Sequence, residues 1–128
     1  MQTMQQQRAA FALEWVQGAA QHNPREFASY ASALPAMIHM NGLGQAAAFY
    51  WSKTGDKRGG ASYQHLYDLL SAWLRKPDQP FEGHDDLLAG ITSVDMETYM
   101  LAQAEAQALM DWVKKFAKAF MDEQEAPA

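Results

Sequence analysis

The sequence predicts an all-α protein: one compact bundle of about five to six helices that ends in a single long C-terminal helix. Two observations carry the fold class. The chain is rich in Ala, Gln, Met and Leu, which a helix accommodates easily, and poor in the Val, Ile and Thr that strands favour. Apolar residues also recur every three or four positions along most of its length, the spacing of one helical face. A third observation bounds the organisation. With 128 residues, the range of one core, and no internal repeat or low-complexity tract, residues 1–128 read as a single domain that needs no metal or disulfide staple.

The elements follow in order. Ala9, Leu13, Val16 and Ala20, widened by Ala12, Trp15 and Ala19, mark a first helix that ends at His22, Asn23 and Pro24. Asn23 is a cap for the second helix, with Pro24 in its first turn and Glu26 placed where the helix dipole favours an acid. Pro35 lacks an amide proton and disfavours helical geometry at Leu34, so a kink or a restart is expected, followed by a short helical piece to Met40. Asn41 and Gly42 break the pattern, and Leu43 to Trp51 resume it. Lys53 to Gly60, with three glycines and three cations, reads as an exposed loop. Ser62 is the expected cap of a helix carrying Tyr63, Leu66, Leu70, Trp73 and Leu74, and Pro77 to Gly83 form another loop. Asp85 and Asp86 open a short helix that stops near Thr92. Ser93 is then the expected cap of the long helix, whose stripe is Tyr99, Ala102, Ala106, Leu109, Val113, Phe116 and Phe120. Residues 122–128 read as a frayed acidic tail.

Composition excludes several function classes. Zero cysteines remove thiol catalysis, zinc fingers and iron–sulfur clusters, and agree with a reducing cytoplasm. The first twenty residues lack the basic start and unbroken apolar core of an export signal, and no apolar run is long enough to span a bilayer. A net charge of −5 argues against coating nucleic acid through overall charge, while leaving local patches open. No glutamate precedes a histidine by three positions, so the di-iron bundle pattern is absent. His84 and Asp85, with His65 upstream and Asp95 or Asp111 beyond, resemble ligands of metal-dependent phosphohydrolases, but acids at a helix start are also favoured by the dipole alone. No metal, cofactor or catalytic residue is therefore assigned.

The aromatic residues Trp15, Phe49, Trp73, Trp112, Phe116 and Phe120 sit at core spacing. Phe49, Tyr50 and Trp51 point to successive sides of one helix and cannot all enter the same core, so Tyr50 and Trp51 are candidates for a partner surface. The cations are more informative. On a wheel of about 100° per residue, Lys114 and Lys118 lie opposite Phe116 with Lys115 on their flank, a basic ridge that suits either the C-terminal dipole or phosphate. Lys53, Lys57 and Arg58 form a second candidate phosphate cluster, on a loop. Glu105 falls close to the apolar arc between Leu101 and Leu109. A buried carboxylate needs a partner, and the expected donors are Asn41 or His39, the latter otherwise a satisfied core histidine.

The central segment from Leu34 to Phe49, LPAMIHMNGLGQAAAF, followed by Lys53, resembles the hallmark of the small subunit of the type III-B CRISPR effector, the Cmr complex. Arg8 and Ala9, the helix from Tyr63 to Leu74, and AQALMDWVKKFA at 106–117 are similar to that family in the same order, so the resemblance spans nearly the whole chain. It implies a helical subunit without enzymatic activity. Such a subunit is present in several copies as a short filament beside the guide-RNA backbone, partners the other Cmr subunits and further copies of itself, and helps hold target RNA for antiviral defence. By that resemblance Lys114, Lys115 and Lys118 match the basic end of the last helix, and Lys53 matches the lysine after the central motif. Lys57 and Arg58 rest on the residue-level argument alone. Pro35, Asn41, Gly42 and Gly44 read as structural parts of the motif, with Asn41 capping a helix and Gly42 permitting close backbone approach. The acidic net charge implies a protein that is monomeric when isolated and binds RNA weakly outside its assembly. A cytoplasmic helical adaptor that binds protein through Tyr50 and Trp51, without touching nucleic acid, is the competing reading.

Overall fold

In a computed structural model, residues 1–19 and 23–121 are described. The predicted first-helix end at His22, the stripe position Ala20 and the predicted tail 122–128 lie outside the described residues. Within them are six helices and no strand: α1 (Met4–Ala19), α2 (Pro24–Asn41), α3 (Leu43–Ser52), α4 (Gly60–Leu74), α5 (Leu87–Ser93) and α6 (Met96–Met121). The all-α bundle with a long last helix is the observed architecture. Helix α6 packs mainly along α2 and α1, and α3, α4 and α5 close the remaining sides.

Local chemistry explains most helix starts. The Asn23 side chain accepts the Glu26 amide at 3.3 Å and Pro24 opens α2. Asp86 caps α5 by accepting the Ala89 amide at 2.9 Å. Two expected serine caps are corrected. Ser93 is the last residue of α5; Val94 is extended, and Asp95 caps α6 instead, accepting the Thr98 amide at 2.9 Å, which holds the exposed Asp95 carboxyl below its usual range. Ser62 lies inside α4, buried, with its hydroxyl donating to Glu26 Oε1 at 3.3 Å, while Gly59 at φ 81° turns the chain into that helix. A hydroxyl committed to another helix cannot serve its own first turn.

Pro35 neither ends α2 nor restarts it. The helix is continuous from Pro24 to Asn41 and buries Phe27, Ala31, Leu34, Pro35 and Ile38 as one stripe. An interior proline costs about 3 kcal/mol in an isolated helix, and here packing overrides it. Pro35 is buried, and its carbonyl accepts Gln107 Nε2 from α6 at 3.0 Å.

The core stripe of α6 is Ala102, Ala106, Leu109, Met110, Val113 and Ala117. Its alanines let α1 and α2 approach closely. Two expected core aromatics are corrected: Phe120 is exposed because the helix has run past the core, and Phe49 is 41% exposed. On α3 the buried positions are Leu43, Ala46, Ala47 and Tyr50, so Phe49 and Trp51, one residue to either side of Tyr50, turn outward. Trp15, Trp112 and Phe116 are half-buried at the core edge, and Trp73 is fully inside.

Candidate nucleic-acid interface

The segment between α2 and α3 is held by α6. Gly42 adopts φ 88° and ψ 158°, a conformation open in practice only to glycine, and its amide closes α2 on the Ile38 carbonyl at 2.8 Å. No side chain of the turn caps α3. Its first amides are satisfied from across the bundle: Gln103 Oε1 accepts the Leu43 amide and the Tyr99 hydroxyl accepts the Gly44 amide, both at 2.8 Å. Gly44 matters for space, since a Cβ there would stand 3.3 Å from both the Tyr99 hydroxyl and Ile91 Cγ2. Asn41, expected to cap α3, is instead the exposed last residue of α2. Tyr99 and Gln103, four apart on one face of α6, are not among the residues that the sequence marks as functional. Their spacing is visible there, but nothing local points them at Leu43 and Gly44. Tyr99→Phe is expected to cost about 1 kcal/mol, the usual net worth of one such bond, measured as a lower urea midpoint at unchanged slope.

Glu105 lies where helical spacing places it, at the rim of the core, but with different donors. Arg8 from α1 grips it as a fork, Nε to Oε1 at 2.8 Å and an outer nitrogen to Oε2 at 2.7 Å, and the Trp73 indole of α4 donates to Oε1 at 2.8 Å. Burial pushes the Glu105 carboxyl up, but the bonds from Arg8 and Trp73 and the guanidinium charge outweigh it and hold the group below its ordinary value. The bond to Glu105 raises the Arg8 guanidinium further. Asn41 and His39, the expected donors, are both exposed at the end of α2 and do not reach it.

With that carboxylate neutralised internally, the outward cations stand apart. Lys114, Lys115 and Lys118 are all exposed on α6, and none makes an ion pair with a described residue. Asp111, also exposed, falls on the same arc, so the ridge carries three cations against one acid. Lys53 sits at the end of α3 with its ammonium 5.5 Å from the centre of the Phe49 ring. Lys57 and Arg58 are exposed in the loop that follows.

The candidate metal ligands do not converge. His65 Nε2 is 2.9 Å from the Trp15 carbonyl and its ring packs on Trp15 and Phe27, whereas Asp95 is occupied as a helix cap. Among the described residues no group of three or more His, Cys, Asp or Glu is placed to hold a metal ion. No helix there is long and apolar enough to cross a membrane.

Comparison with known proteins agrees with this architecture. Residues 4–120 match the family model described as CRISPR-associated protein (Cas_Cmr5), which sets the class. The CRISPR system Cmr subunit Cmr5 of Thermus thermophilus is 30% identical over 124 residues, covering 96% of this chain and 100% of that protein. The X-ray crystal structure of a CRISPR-associated Cmr5 family protein from the same organism superposes with a TM-score of 0.75 at 30% identity, over 94% of this chain and 99% of the other. The chain belongs to the Cmr5 family.

Proposed function

We propose that the protein is a non-catalytic, cytoplasmic structural subunit of the type III-B CRISPR RNA-guided complex, stacking in a minor filament beside the guide-RNA backbone and helping to hold target RNA. The observation that carries the RNA contact is the exposed lysine ridge of α6. Pairing with the helix dipole alone stabilises a protein by about 0.3–1 kcal/mol and asks for cations only near the helix end. Only Lys118 lies in the last turn of α6, so the dipole does not account for Lys114 and Lys115, and the three share one exposed arc and make no ion pair with a described residue. Lys53, Lys57 and Arg58 are assigned to the same role at the α3–α4 loop. Exposed Met40, Met96, Met100 and Leu101, at the end of α2 and the start of α6, suit contact with neighbouring subunits or further copies. The isolated chain is a monomer in this reading, and the assembly supplies most of the field felt by RNA.

The adaptor reading loses one of its two residues: Tyr50 is buried, with its hydroxyl donating to the Tyr30 carbonyl at 2.7 Å. The test is the triple replacement of Lys114, Lys115 and Lys118 by alanine in the reconstituted complex. Each lost phosphate contact is expected to reduce the slope of log affinity against log salt by about one, so capture of target RNA falls while helicity is unchanged. Capture equal to wild type across the salt range would remove the ridge from the proposal.

A further inference from the structure

Resting on the RNA-holding reading above, we infer that Phe49 is a stacking platform for an unpaired base, and that with Lys53, Lys57 and Arg58 it forms a second single-stranded RNA contact separate from the lysine ridge.

The geometry begins with an aromatic ring that the core does not use. Phe49 is 41% exposed at the end of α3, although α3 has room inside for Tyr50. Its ring is supported by Tyr63, edge-on at 6.3 Å between centroids, and Tyr63 is stacked at 4.2 Å on Tyr30. The ring is therefore braced against Tyr63 and still 41% exposed, with the Lys53 ammonium 5.5 Å from its centre. A ring so braced loses little freedom when a flat ligand settles on it.

The surrounding charge selects the ligand. The loop from Lys53 to Gly59 leaves and returns beside this cluster. Lys53 lies over the Phe49 ring, while Gly59 is so close to Tyr30 that a Cβ there would sit 2.5 Å from the Tyr30 hydroxyl. At the far end of the loop a Cβ on Gly60 would meet the Thr54 carbonyl at 2.6 Å, which pins the loop's two ends together. Between the pinned ends stand Lys57 and Arg58, exposed and without an ion-pair partner among the described residues, with Asp56 as the one acid. Three cations against one acid on the loop beside an exposed ring complement a chain of phosphates and flat bases, which is how unpaired strands are held without regard to sequence. A purely apolar protein partner would leave those cations desolvated and unpaired. The same ring also stands four residues before Lys53, so one turn of helix sets the spacing between the base and its phosphate.

The test uses the assembled complex. With the native chain, a target RNA carrying 4-thiouridine is expected to crosslink under long-wave ultraviolet light to the peptide containing residues 49–58. Phe49→Leu, which keeps an apolar side chain but removes the flat face, is expected to weaken target capture about tenfold, within the range measured when stacking residues are truncated. Because no charge is lost, its salt slope stays at the wild-type value. Phe49→Tyr restores capture, and Lys57→Ala with Arg58→Ala lowers the salt slope instead. Wild-type capture by Phe49→Leu, together with no crosslink in 49–58, overturns the inference. So does a Phe49→Leu chain that no longer enters the complex, since Phe49 would then be a protein contact. If the ridge variant loses capture and Phe49→Leu does not, the stacking platform falls alone; if neither loses it, the RNA reading falls with it.

Discussion

Replacing Glu105 with alanine is expected to destabilise the fold by about 3 kcal/mol, the scale of breaking a buried ion pair from one side. The Glu105 and Arg8 side chains are 14% and 16% exposed, so little water is available to replace what each loses. The carboxylate joins three helices, accepting from Arg8 of α1 and Trp73 of α4 while standing on α6. Its removal leaves the part-buried indole N–H of Trp73 without its acceptor and the Arg8 guanidinium with only Gln5 Oε1 at 3.3 Å, and unmet donors of this kind cost more than the bonds themselves contributed. Denaturant unfolding measures the change; a midpoint equal to wild type would mean that Arg8 finds an equivalent acceptor. The same site sets an acid limit. The folded Glu105 carboxyl lies below its ordinary value of 4.5, so the folded state binds its proton less readily than the unfolded chain does. Its contribution is then complete above about pH 4.5 and is lost as pH falls through the lower folded value. Glu105→Gln removes that part of the acid dependence, which a series of melts from pH 7 to pH 3 would resolve.

Gly42→Ala is the second large effect expected, about 2 kcal/mol or more from backbone strain, since the ψ of 158° that accompanies φ 88° lies outside the left-handed helical well that other residues can tolerate. Crowding is the smaller part of the cost: a Cβ at Gly42 would meet the Tyr99 hydroxyl at 3.4 Å, an ordinary contact. The larger consequence is positional. If the turn relaxes, the amides of Leu43 and Gly44 move off Gln103 and Tyr99, and α3 loses the two bonds that begin it. Combining Gly42→Ala with Tyr99→Phe is therefore expected to cost less than the sum of the two single changes, because the strained backbone has already released the Tyr99 bond. Strict additivity in urea unfolding would separate the turn from the clamp.

Composition, helical periodicity and local residue chemistry were enough to identify the α-helical class, the long C-terminal helix, the cap at Asn23, the helix start at Asp85 and Asp86, and the unusual position of Glu105, because each depends on residue type or on residues within a turn or two of one another. The central segment also carried the family. Residues far apart decided the rest. Pro35 stays inside a helix because α6 lies against it, Ser62 is drawn away from its own helix by Glu26, and Glu105 meets an arginine 97 positions earlier. Tyr50 took the inward place on α3 and left Phe49 beside Lys53 at the surface. A helix's period tells which residues share a face, but the identity of the neighbour on that face depends on how the helices cross, and that depends on the shape of the whole core.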